Sequence, residues 1–169
     1  APRPHDPPGR DDGGDFDARR RRALSEQFKG ERLVLPAGPQ KARSNDTYYR
    51  FRPHSGVAHL TGLGVDHEPD AVLILEPTDE GKGDDGGSHH ATLYFRPLAG
   101  RDTEQFYANA RTGEFWIGPR PTLAEFKSRL GLATAHIDAL EVAITKNIGD
   151  PSIGGISIRL VLQVAEIID

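Results

Sequence analysis

Short apolar runs, separated by loops rich in glycine and proline, organise the chain. Arg32–Pro36, Ala71–Glu76 and Ala91–Phe95 are rich in large apolar residues and predict three strands. Ile156–Val164 alternates Ile, Leu or Val with other residues, which predicts a strand with one face buried. Gly113–Gly118 contains Phe, Trp and Ile and predicts one more short strand.

Three further segments have the apolar spacing and the end signals of helices. Their expected bounds are Ala18–Lys29, about Leu123–Leu130, and Ile137 or Asp138 to about Ile148. In the first, Asp17 stands where an N-cap is expected and Gly30 where the helix would end. In the second, Thr122 and Glu125 have the spacing of a capping box, and Gly131 is the expected stop.

Strands and helices alternate along the chain. A brief extended segment, Ala133–His136, lies between the last two helices, and the final helix presents Leu140, Ile144 and Ile148 on one face. This alternation is typical of an α/β fold, here with a mixed sheet of about five or six strands flanked by helices. Residues 17–169 are therefore expected to form one domain.

Two segments have the composition of irregular chain. Ala1–Phe16 is rich in Pro, Gly and Asp, with Phe16 its only large apolar residue, which predicts a disordered tail. Thr78–Ser88 predicts a mobile loop without core residues. The basic run Arg19–Arg22 has two interpretations, the solvated face of the first helix or a site for an anionic partner, and the first is the more common.

Composition excludes several classes of function. The formal charge of −4 gives no basic excess for binding nucleic acid. The absence of cysteine excludes disulfides, thiolate metal sites and cysteine nucleophiles from this chain, and it favours a cytoplasmic protein. No apolar run approaches the roughly 20 residues of a membrane-spanning helix.

The stretch Arg43–Gly62 is unusually dense in polar, aromatic and glycine residues. Arginines and a histidine alternate with two tyrosines and a phenylalanine, and the stretch ends in Leu-Thr-Gly. Polar groups buried beside a core must be hydrogen-bonded or charge-paired, otherwise each costs about 1–3 kcal/mol. The density therefore predicts a functional site, or the edge of one.

This stretch also resembles a known family. The pattern R-S-x-D, then F-R, H-S and L-T-G, is similar to the N-terminal domain of Xaa-Pro aminopeptidases, which belong with prolidase and creatinase to the "pita-bread" metallopeptidases. The resemblance covers roughly Ala18 to Asp169 and implies a ribonuclease H-like motif. Pro53 departs from it, since family members commonly carry Gln there.

The resemblance implies a substrate-cleft role for three residues. Asp46 would face the cleft and join a hydrogen-bonded network with arginines of a catalytic domain, and Arg43 would line the same cleft. Phe106 matches a position where some relatives place a tryptophan that reaches into a neighbouring subunit's active site. Asp46 as a turn residue and Phe106 as a core residue remain the alternatives.

Catalytic chemistry is not expected in this chain. The family uses two metal ions, usually manganese, held by carboxylates and a histidine of the C-terminal domain, which is expected to lie outside this chain. His54, His59 and His67 have no regular metal-ligand spacing, and no H-E-x-x-H or G-x-S-x-G motif is present. Ser44, Asp46 and His54 do not form a recognisable triad.

The resemblance therefore predicts a non-catalytic N-terminal domain. It would wall the active-site cleft of an enzyme that removes an N-terminal residue before proline, and it would support that enzyme's oligomer contacts. Its expected partners are its own catalytic domain, further copies of the enzyme and proline-containing peptides as substrates of that enzyme. The alternative is a stand-alone peptide-binding or scaffolding module with the same fold.

Overall fold

The computed structural model describes residues 13–44, 47–64, 69–78, 81–97, 122–149, 156–162 and 164. The strands are β1 (Glu31–Pro36), β2 (Ala42–Ser44), β3 (Thr47–Tyr48), β4 (Val72–Pro77), β5 (His89–Phe95), β6 (Ala133–His136) and β7 (Ser157–Leu160). The α-helices are α1 (Gly13–Gln27), α2 (Ser55–Thr61), α3 (Leu123–Leu130) and α4 (Leu140–Thr145). Single 3₁₀ turns occupy Asp84–Gly86 and Ile137–Ala139.

Five of the described strands form one mixed sheet in the order β6-β5-β4-β1-β7. The central pairs, β1 with β4 and β4 with β5, are antiparallel, whereas the outer pairs, β1 with β7 and β5 with β6, are parallel. Strands β2 and β3 form a separate antiparallel pair. The predicted α/β class is thereby confirmed, while the strand expected at Gly113–Gly118 lies outside the described residues.

The core lies on the face of the sheet that α1 and α2 cover. Leu33 and Leu35 of β1 stand beside Leu75 and Leu73 of the antiparallel β4, and all four are almost completely buried. Because side chains alternate across a strand, this spacing of two puts them on one face. The other buried members of this cluster include Leu24, Phe51, Val57, Leu60, Leu63, Leu93 and Phe95.

Helix α1 begins at Gly13, so the prediction that it starts at Ala18 after an Asp17 cap is wrong. Asp17 lies inside the helix, where its carboxylate pairs with Arg20 one turn later at 3.4 Å. The Arg19 guanidinium lies 5.8 Å from the ring of Phe16. These contacts between side chains one turn apart stabilise the first turns of the helix. The helix therefore includes residues 13–16, which the composition had assigned to the disordered tail. Residues 1–12 lie outside the described part.

The last helix is shorter than its apolar spacing predicts. It ends at Thr145, and Asn147 adopts a left-handed backbone conformation with φ +59°, which no helix continues through. Ile148 then pairs with Ile156 beside the start of β7 and is 45% exposed. By contrast, the Thr122–Glu125 capping box and the left-handed Gly131 end α3 as predicted.

The alternating residues of β7 do not form the predicted buried face. Ile158, Leu160 and Leu162 are 37%, 63% and 43% exposed. Val164, the last residue of the predicted alternation, is buried, as is Val161 from the intervening positions. Alternation predicts that the two faces of a strand differ, but not which of them has a neighbouring layer.

The loop before β5 contains core residues, contrary to the prediction. Gly87 and Ser88 are buried against α1, and the Ser88 N–H donates to Ser25 Oγ at 2.7 Å. The side chain of Asp84 also accepts from the Ala91 N–H at 2.7 Å, which holds the 3₁₀ turn against β5. The glycines and aspartates of this loop therefore form a docked turn.

Ser25 and the buried His89 complete this polar network. His89 Nε2 lies 2.7 Å from the Glu31 carbonyl oxygen, which can only accept, so the proton resides on Nε2. Nδ1 then accepts from Ser25 Oγ, also at 2.7 Å. Neutral His89 therefore has a matching hydrogen-bond partner at each ring nitrogen. Burial lowers the pKa of His89, against the opposing effects of the Glu31 carbonyl and the carboxylates of Glu76, Glu26 and Glu31.

The lowered pKa of His89 predicts acid sensitivity. The group is stabilising above the ordinary pKa of 6.5, and that stability is lost as pH falls from there through the folded-state value, because the unfolded chain binds the proton more readily. One proton limits the slope to about 1.4 kcal/mol per pH unit. Urea unfolding between pH 8 and pH 5 should show a weaker acid loss for His89→Gln than for the exposed-site control His90→Gln. Identical pH profiles for the two variants would contradict this assignment.

Candidate functional site

The dense stretch that follows β1 folds as a hairpin and a helix. Strands β2 and β3 pair in register Ala42 with Tyr48, and the Tyr49 N–H donates to the Lys41 carbonyl at 2.9 Å. The chain then turns inward at Phe51, which is 5% exposed, and returns to the sheet where the His54 N–H donates to the Ala37 carbonyl at 2.8 Å. The hairpin therefore projects from a base that is fixed to the end of β1.

Helix α2 anchors the second half of the stretch. Its Val57 and Leu60 are buried in the core, and the hydroxyl of buried Thr61 donates to the Val57 carbonyl at 2.7 Å. Gly62 ends the helix in the left-handed conformation with φ +70°, and its N–H donates to the Ala58 carbonyl at 3.0 Å. The Leu-Thr-Gly sequence is thus a helix terminus, which explains those three residue types without a ligand.

Several described polar side chains of the stretch are exposed rather than buried, contrary to the expectation from their density. Arg43, Arg50, Arg52 and His54 all lie at the surface, and Tyr49 is 57% exposed. The hairpin therefore presents a basic and aromatic surface while its backbone stays attached to the core. A surface of this kind suits contact with a polar or anionic group outside the chain.

Helix α1 fixes the other end of α2 through two arginines. Arg21 is buried at 6% exposure, and its Nη1 donates to the Leu60 carbonyl at 2.7 Å. Arg20 Nη1 approaches the His59 carbonyl at 3.4 Å. These carbonyls have no partner within the helix, and a cation at a helix C-terminus is favourable. Part of the basic run Arg19–Arg22 is therefore structural, so the interpretation of the whole run as a solvated face is wrong.

Asp17 lies beside this junction. Burial raises the pKa of the Asp17 carboxyl, and the neighbouring charges of Arg21, Arg20 and His59 act in the opposite direction. The positive φ favours glycine at position 62, and a Cβ there would come within 2.6 Å of Asp17 Oδ2 and displace that carboxylate. The junction of α1 and α2 is a closely packed support for the stretch.

Comparison with known protein families identifies the family of this chain. Residues 17–152 match the family model described as "Aminopeptidase P, N-terminal domain". The chain belongs to this family. The match takes in α1, the hairpin, α2 and the sheet through β6, and it ends before β7.

Individual relatives agree with the family match. Over 132 residues the chain is 39% identical to Xaa-Pro aminopeptidase 1 of Streptomyces coelicolor, a match that covers 78% of this chain and 25% of the relative. Proline aminopeptidase P II from Yersinia pestis has a similar structure, with a TM-score of 0.60 and 26% identity over 78% of this chain and 26% of that one. Escherichia coli aminopeptidase P with the inhibitor Pro-Leu has a TM-score of 0.57 and 25% identity, over 78% of this chain and 26% of that one.

The aminopeptidase P N-terminal domain described here therefore spans about a quarter of the length of the curated relatives it matches. Of the three residues to which the sequence assigned a cleft role, the structure places Arg43, on β2 and exposed to solvent. Asp46 and Phe106 lie outside the described residues, so their roles stay predictions.

The described part of this N-terminal domain contains no group of three His, Asp or Glu side chains that could hold a metal ion. Ser25 and His89 have the hydrogen bond of a nucleophile and base, but both are buried at 3% exposure and cannot meet a substrate. Within the ranges described, no helix is both long and apolar enough to cross a membrane.

Sequence reasoning missed the ion pair of a fully buried arginine. Arg32 is completely buried, and its guanidinium donates to both carboxylate oxygens of Glu76, at 2.6 and 2.7 Å. The third nitrogen, Nη1, donates to the carbonyls of Ile144 and Lys146 at the C-terminal end of α4. A lone arginine inside an apolar strand run was the available signal, since such a residue needs a partner on an adjacent strand.

Proposed function

We propose that this chain is the non-catalytic N-terminal domain of a Xaa-Pro aminopeptidase and that it forms one wall of that enzyme's active-site cleft. The single observation that carries this proposal is the family match over residues 17–152, together with relatives of which the matched segment covers only 25%. The hairpin surface of Arg43, Tyr49, Arg50 and Arg52 is the part that faces the cleft. Its exposure, on a base fixed to the core, supports this role.

Within this proposal, Asp46 and Arg43 act on the substrate side of the hairpin. Asp46 would hold arginines of the catalytic domain in place, because a carboxylate paired with a guanidinium keeps its charge and orients its partner. Arg43 and its neighbours supply positive charge where a peptide's carboxylate can bind. Phe106 would supply an apolar contact to the substrate.

The chemistry itself belongs to the remainder of the polypeptide. Hydrolysis of the bond before proline would use the metal ions, by resemblance manganese, of the catalytic domain. The N-terminal domain would contribute shape, charge and contacts between subunits of the oligomer. The cysteine-free sequence of the chain supports a cytoplasmic setting for that enzyme.

The test is peptide cleavage by two proteins, residues 1–169 and the complete polypeptide, each with added manganese. The complete polypeptide should remove the N-terminal residue from an X–Pro peptide, but it should not act on the matched X–Ala peptide. Residues 1–169 should cleave neither peptide. Turnover by residues 1–169 that survives further purification would overturn the division of roles. A complete polypeptide that binds X–Pro peptides without cleaving them would favour the stand-alone binding module.

A further inference from the structure

Strand β7 combines exposed apolar side chains with an edge position among the described strands of the sheet. Ile158 and Leu160 project from one face, and Ile148 shares that face because it pairs with Ile156 on the adjacent segment. Leu162 follows in a bend just beyond the strand. All four are between 37% and 63% exposed. We call Ile148, Ile158, Leu160 and Leu162 the β7 face. The strand also lies at the end of the five-stranded order.

Two hydrogen bonds show which backbone groups lie on the outer edge of β7. The Val161 N–H donates to Val34, on the side of β1, whereas the Ile156 N–H donates to Asn147, on the opposite side. Since the backbone groups of successive residues point to alternate sides of a strand, those of Ile158 and Leu160 point away from β1. No described strand lies on that side.

An uncovered edge strand of this kind promotes aggregation. Exposed apolar edge strands pair with other chains, and natural proteins usually block them with charges, bulges or a covering segment. The charge within β7 is Arg159, which lies on the other face, where it pairs with Glu31 and stacks 4.7 Å from the ring of Phe28. The β7 face therefore has the character of a contact surface rather than of a solvated one.

We propose that the β7 face is the docking surface for the catalytic domain of the same polypeptide, an inference that rests on the proposed function. The family match ends at residue 152, just before β7, and three quarters of the relatives' length lies outside the match. A domain that follows β7 in the chain is tethered beside this face at an effective concentration on the order of millimolar. A second copy of the chain at micromolar concentration competes poorly with such a tethered partner.

The experiment is amide hydrogen exchange on the complete polypeptide. Ile158 and Leu160 should exchange at least tenfold more slowly than an unprotected amide, because the catalytic domain covers them. Rapid exchange at both amides, in a polypeptide that still cleaves X–Pro peptides, would overturn the surface assignment and leave the proposed function standing. Loss of protection on dilution would assign the face to a second copy instead. A complete polypeptide without X–Pro activity would overturn the proposed function itself.

A pair of substitutions gives an independent readout. Leu160→Lys and Phe16→Lys each replace an apolar side chain that is exposed in this domain, at 63% and 57% respectively. Leu160→Lys should lower the Tm of the complete polypeptide by several degrees, since it places a charge in the interdomain contact. Phe16→Lys should leave it almost unchanged. Equal small effects would show that Leu160 is solvated in the complete protein and would overturn the proposal.

Discussion

Replacing Arg32 with methionine is expected to destabilise the domain by about 3 kcal/mol, since it removes one partner of a buried ion pair. Methionine fills much of the same volume, so the loss comes from polar groups and not from a cavity. Glu76 loses a partner that contacts both of its oxygens, and the carbonyls of Ile144 and Lys146 lose their donor. The Glu76 side chain is 38% exposed, so water recovers part of the cost on that side.

Urea unfolding of the wild-type chain and of two variants measures this effect. Arg159→Met is the matched control, because Arg159 also pairs with a glutamate, Glu31, but its side chain is 48% exposed. It should shift the midpoint far less than Arg32→Met. A double variant, Arg32→Met with Glu76→Leu, should recover part of the loss because no unpaired carboxylate remains. If Arg32→Met and Arg159→Met cost the same, the buried pair is not what joins β1, β4 and the end of α4.

Replacing Asp46 with asparagine in the complete polypeptide is expected to lower kcat/KM for an X–Pro peptide about tenfold, equivalent to about 1.4 kcal/mol of transition-state stabilisation. Asparagine keeps the shape of the side chain but removes the charge that the proposed function pairs with arginines of the catalytic domain. The free energy of unfolding of residues 1–169 should change by less than about 1 kcal/mol.

Lys41→Gln is the matched control for Asp46→Asn. It also removes one charge from the hairpin region, at an exposed position beside β2, and it should leave kcat/KM within about twofold of the wild type. Full activity of Asp46→Asn together with strong destabilisation of residues 1–169 would identify Asp46 as a turn residue. Equal activity losses for both variants would indicate a general dependence on hairpin charge and not a specific carboxylate.

The sequence predicted those helices and strands well whose ends and burial depend only on residues within one short segment. The Thr122–Glu125 capping box and the left-handed Gly131 form and end α3 by contacts within one helix. The apolar runs of β1, β4 and β5 were placed to within two residues because three buried strands leave few alternatives.

Features that depend on distant residues could not be read from the sequence. The pairing of Arg32 with Glu76 and of Arg21 with the Leu60 carbonyl joins segments 39 or more positions apart. The exposed face of β7 has the same alternating pattern as a buried one, since the pattern does not show whether a second layer is present. For the candidate site, the sequence identified the stretch and the family, but it overestimated how many of its polar side chains are buried.

The most direct test of a cleft-lining role is amide exchange across residues 41–62 of the complete polypeptide, with and without Pro-Leu, the dipeptide inhibitor bound in a solved Escherichia coli aminopeptidase P. The dipeptide should slow exchange in the hairpin, at Ala42–Tyr49, while α2 stays as it was because its amides are already fixed against the core. Leu-Leu serves as the control peptide. If Pro-Leu inhibits the enzyme yet leaves exchange in the hairpin unchanged, this stretch is not a wall of the cleft.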